Sequence, residues 1–137
     1  VLASAPVGDR FAAAVRSTLE VAFEQSEGGV LGMIEARAHH DPVAAAVVSD
    51  FTRQYLGALS EVTARLYPAL GKREIALASV LVASLIDGAC GFLPALDRLG
   101  LERRDLVEGV VEGAREAVGA LARKTASLPS SSRSSPG

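Results

Sequence analysis

Residues 75–96 read IALASVLVASLIDGACGFLPAL, 22 consecutive positions with a single charge, Asp87. A helix of this composition is apolar nearly all round and must be covered on more than one side. After the polar break DRLGLERR, residues 105–122 carry a second apolar stripe at Leu106, Val110, Ala114, Val118 and Leu121, spaced as one helix face. A chain of 137 residues does not easily bury two such neighbours by itself. The expected cover is a second copy of the same chain.

The 75–96 run is long enough to cross a bilayer, since 22 helical residues rise roughly 33 Å. Its chemistry points the other way. Ala, Ser and Gly dilute it, Pro94 lies near its end, and a carboxylate at mid-span costs about 2.5–3.5 kcal/mol on insertion. The expectation is no membrane span. Residues 1–7 show neither a basic region nor a long apolar core of a secretory signal. Together with one cysteine, Cys90, set among apolar neighbours, this fits a cytoplasmic, reducing compartment.

The rest of the chain also reads as helix. Alanine is abundant, aromatics are 4%, and no stretch alternates with period two. Asp9 is the expected N-cap of a first helix to about Gln25, with Phe11, Val15, Leu19 and Ala22 inward and Gly28-Gly29 ending it. A short second helix is expected from Val30 to His39. Asp41-Pro42, a capping residue followed by proline at the first helical position, opens a third that continues to about Tyr67. Its inward face is Val47, Phe51, Tyr55, Leu59, Val62 and Leu66. A fourth helix spans 72–99 with Gly100 as its C-terminal cap, and a fifth starts near Arg103. The fold class is therefore all-α, a bundle of about five helices in residues 1–126. The Ser/Pro-rich residues 127–137 are expected to be a disordered tail.

Chemistry-bearing motifs are scarce. His39 and His40 are adjacent, so they diverge by about 100° on a helix and do not form a joint ligand pair. Glu35 and His39 share a face, but the paired Glu-x-x-His motifs of a di-iron bundle do not occur. No phosphate loop, nucleophile elbow or CxxC is present. Neither enzyme activity, a cofactor nor a metal site is expected. A net charge of −2 offers no electrostatic footprint for nucleic acid.

Apolar faces of three helices should converge on Met33, Ile34, Arg37, Phe51, Tyr55, Leu59 and Phe92. Apolar walls with a few polar groups are the usual make-up of a small-molecule pocket. Met33 suits an adaptable wall and Arg37 an anionic or carbonyl group. The expected dimer interface is Leu81, Leu85, Ala89, Val107, Val110, Val111, Ala114 and Val118, of obligate size at about 2,000 Å² or more. Gly109, Gly113 and Ala117 recur every fourth position, which permits close helix approach. Val110→Glu or Val111→Glu should then split the dimer and lower stability.

Four segments carry a resemblance: DRFAAAVRSTLEVAFE, DPVAAAVVSDFTRQYLGALSEVTARLYP, ASVLVASLIDGACGFLPAL and VEGVVEGAREAVGAL. In helix order, lengths and breaks they resemble the C-terminal domain of the TetR family of bacterial transcription regulators. The most family-like local features are Asp41-Pro42 and Ile86-Asp87-Gly88. The resemblance implies a homodimeric sensor whose last two helices pair with their copies as an intermolecular four-helix bundle. The preceding helices would enclose a small hydrophobic effector, and its binding would shift a helix leading to an N-terminal helix-turn-helix that represses transcription. No helix-turn-helix is legible here, so operator DNA is expected as a partner only through a longer parent protein. The alternative from another class is a dimeric helical structural or protein-interaction module with a filled core and no ligand.

Overall fold

The computed structural model describes residues 5–127, and among these every regular element is helical. The chain forms α1 (Val7–Glu27), α2 (Val30–Ala38), α3 (Pro42–Leu66), α4 (Lys72–Phe92), a 3-10 turn (Leu93–Ala95), the four-residue α5 (Leu96–Leu99) and α6 (Arg103–Ser127). The architecture is the all-α bundle of five long helices. Ser127, expected to begin the tail, closes α6; the remainder of that tail lies outside the described residues.

Local chemistry sets the boundaries. The Pro6 carbonyl accepts from the Asp9 and Arg10 amides, so α1 begins two residues before the expected Asp9 cap. Asp9 lies in the first turn instead, where the helix dipole favours an anion, and meets Arg115 of α6 at 3.3 Å. Gly29 turns the chain between α1 and α2 at φ 74°, a left-handed conformation that glycine adopts without steric cost. Asp41 caps α3 through Oδ1, which accepts from the Val43 amide at 2.9 Å, and Pro42 supplies a preset φ at the first position. Asp41→Ala should cost about 1 kcal/mol in urea unfolding, and Asp41→Asn only a fraction of that.

The fourth helix does not run to Leu99 as one element. Pro94 has no amide proton, and the chain tightens into the 3-10 turn directly after Phe92. Gly100 at φ 67° then ends α5, with the Leu101 amide donating to the Leu96 carbonyl at 3.1 Å.

Helix α4 lies at the centre, packed on α1, α3 and α6, while α2 lies against α3. Its inner face of Ala78, Val82, Ile86 and Ala89 meets Phe11, Val15, Leu19 and Phe23 from α1, Leu59 and Leu66 from α3, and Val110, Val111, Ala114 and Val118 from α6. The buried threonine and serine hydroxyls of this core are satisfied. Thr63 donates to the Leu59 carbonyl, Ser79 donates to that of Ile75, and Ser60 and Ser79 are 2.9 Å apart across the α3–α4 seam. Arg103 stacks over the Phe23 ring, 5.4 Å from its centroid, and pairs with Glu27, closing the lower end of the core.

By length and composition the run Lys72–Leu99 is apolar enough to cross a membrane, with a mean hydropathy of 2.0, and a third of that window is buried in the fold. Two of the inward residues expected on α3, Val47 and Phe51, are exposed. At that end α3 borders an open cleft, so part of its apolar face is left uncovered.

Candidate functional site

The cleft encloses about 790 Å³ between α1, α2, α3 and α4, a volume in the range of small-molecule sites. Helix α1 contributes Ser17, Thr18, Val21, Ala22, Gln25 and Ser26, the flank beside its core stripe. Gly32 and Glu35 come from α2, Phe51, Gln54 and Tyr55 from α3, and Asp87, Cys90 and Gly91 from α4. The spacing 87, 90, 91 puts the α4 trio on one flank of that helix. Open space lies beside Gly32 and Gly91, where a methyl would meet nothing within 4 Å.

Phe51 and Tyr55, one turn apart, stack with centroids 6.1 Å apart and planes 15° apart. The Tyr55 hydroxyl is sealed from solvent and has no hydrogen-bond partner among the described residues. Burial, and then the nearby Asp87 carboxyl, hold its pKa well above the usual phenol range, so it stays neutral. Burial also raises the Asp87 carboxyl. The Cys90 thiol is pushed up by burial and by Asp87, partly offset by its own backbone hydrogen bond. It is therefore a protonated wall group and a poor nucleophile.

The sequence-derived pocket divides. Phe51 and Tyr55 line the cleft, and Leu59 lies beneath it, bordering a small cavity of about 90 Å³. Ile34 is half-buried off the cleft, while Met33, Arg37 and Phe92 are exposed away from it. Helix α2 turns Gly32 and Glu35 to the cleft, so Met33 and Arg37, which share another face, point elsewhere. Phe92 falls about 100° beyond Gly91, onto the outer face of α4. Sequence reasoning missed Thr18, Gln25, Glu35 and Gln54. Polar side chains beside an apolar stripe look the same whether they face solvent or a cavity.

Within the single chain the residues of the expected interface also divide. Ala89, Val110, Val111, Ala114 and Val118 are at most 6% exposed and form the chain's own core. The stripe of α6 is consumed in covering α4 and α1 of its own chain. Val107 is half-buried, and Leu81 and Leu85 stand on the surface. With Leu77, Val80 and Phe92 they make a bare apolar ridge along α4. Beside it on α6 runs a shallow groove of small residues. A methyl on Gly109 would meet nothing within 4 Å, and one on Gly113 only Leu85 Cδ1, at 3.7 Å.

His39 and His40 are exposed after the end of α2, with rings 6.5 Å apart. Comparison with known proteins returns no match: no family model fits the chain, and no curated protein or solved structure is significantly similar to it.

Proposed function

We propose that this chain is the effector-binding and dimerising domain of a transcription regulator of the TetR kind. The observation that carries the reading is that one helix, α4, serves two surfaces. Asp87, Cys90 and Gly91 form a wall of the ligand-sized cleft, and Leu81, Leu85 and Phe92 form the bare ridge. A second copy, related by a two-fold axis, would seat its ridge in the small-residue groove of α6, giving a four-helix bundle of α4, α6 and their mates. The alternation of ridge and groove on one face is what self-complementary packing requires.

In this reading the dimer is a cytoplasmic sensor, and the ridge faces a partner and not lipid. A ligand that fits the cleft better in one setting of α4 biases the dimer toward that setting, because only differential affinity moves such an equilibrium. Repression through operator DNA belongs to a longer parent protein with a helix-turn-helix. The chemistry on this chain is binding, with no enzymatic step, metal or cofactor assigned.

The test is a thermal-shift screen of small organic compounds against the purified chain. At least one should raise Tm saturably; a ligand at a hundred times its Kd adds about 2.7 kcal/mol of stability. Gly91→Phe should fill the cleft, leave the fold intact and abolish the shift. If no compound shifts the protein while light scattering finds a dimer, the chain is a dimeric interaction module instead.

A further inference from the structure

We propose that the ligand of the cleft is a protonated amine on an apolar, aromatic-sized body. This rests on the sensor reading above and specifies its ligand. Two carboxylic acids line the cleft, Asp87 from α4 and Glu35 from α2. Among the described residues no Lys, Arg or His lines the cleft. Arg37, which the sequence offered as an anion partner, lies outside it.

A second, independent observation concerns Tyr55. Its neutral hydroxyl is sealed from solvent without a partner among the described residues. That atom is out of reach of a molecule in the cleft, so what Tyr55 offers a ligand is its ring. The stacked faces of Phe51 and Tyr55 add a surface that attracts cations and accepts flat apolar groups. A carboxylate ligand would meet like charge from the two acids once they are ionised. A neutral apolar ligand would bury Asp87 further with nothing to offset its desolvation.

The same geometry couples binding to pH. Asp87 faces Glu35 from α2, Tyr55 from α3 and Cys90 on its own helix, while the α1 wall carries no titratable group. A cation binds the ionised carboxylate. Affinity should therefore rise as pH rises through the Asp87 pKa, with release of a proton, and fall below it.

Three probes with one body and different charge decide the question: naphthylmethylammonium, naphthylmethanol and naphthoate, titrated calorimetrically against the full chain. The ammonium should bind about tenfold more tightly than the alcohol, the typical worth of a hydrogen bond to a charged group. Naphthoate should not bind. Asp87→Asn should lower ammonium affinity by about the same factor and leave the alcohol unchanged. Glu35→Gln gives a second reading of the same effect. Tightest binding by naphthoate or the alcohol, or an Asp87→Asn protein with undiminished ammonium affinity, overturns the amine assignment and leaves the sensor reading standing. Failure of all three probes alongside an empty general screen overturns both.

Discussion

Val110→Glu should abolish the native fold and not merely alter its assembly. Val110 is 6% exposed and packs in the core shared by α1, α4 and α6. The nearest charged neighbours on its own helix are Glu108 and Glu112, which offer a new carboxylate no partner. Arg16 is already engaged with Glu108 at 2.8 Å, and Arg115 with Asp9 and Glu112. An unpaired acid in such a place either ionises at a large desolvation cost or enters neutral, unbonded and oversized. Costs above about 4 kcal/mol are characteristic of that class, against a total stability of about 5–15 kcal/mol for a domain. Far-ultraviolet circular dichroism should show a large loss of helix at 25 °C, or a urea midpoint near zero. A well-folded Val110→Glu monomer would reverse the assignment and return Val110 to the interface.

The converse result is expected on the outer face. Leu81→Glu combined with Leu85→Glu should leave the helix content unchanged, because both side chains already stand in solvent at 38% and 36% exposure. In the proposed dimer the pair would bring four carboxylates into an apolar seam. Obligate interfaces bury about 2,000 Å² or more and tolerate unpaired charge poorly. Light scattering should show the mass falling from twice 14.1 kDa to 14.1 kDa. A double variant that remains dimeric would remove α4 from the interface. One that unfolds would show that Leu81 and Leu85 carry internal packing the exposed ridge does not display.

What could be read in advance follows from how local each cause is. The start of α3 was legible because Asp41 and Pro42 act on backbone groups within two residues of themselves. The stripes of α1 and α6 were legible as inward faces because periodicity names the apolar side of a helix. Periodicity does not name the neighbour, so Val110, Val111, Ala114 and Val118 satisfied an intramolecular and an intermolecular reading equally. The cleft was legible in part: Phe51 and Tyr55 are large aromatics one turn apart on α3. Met33 and Arg37 were misplaced because the rotation of α2 about its axis is set by the glycine turn before it and by packing on α3. Neither is encoded in the nine residues of α2 itself. Asp87 stood out as a lone charge in an apolar run, but the run alone does not say which way it faces; it lines the cleft. Cys90, one turn on, looked like core because a thiol in apolar sequence gives no sign of which side it faces.

The orphaned Tyr55 hydroxyl has a consequence for how the protein has been shaped. A phenylalanine would fill the same space without a stranded polar atom, and an unsatisfied buried hydroxyl typically costs about 1–3 kcal/mol. Keeping tyrosine there holds the empty chain below the stability its core would otherwise reach. Selection for robustness alone works against such a choice.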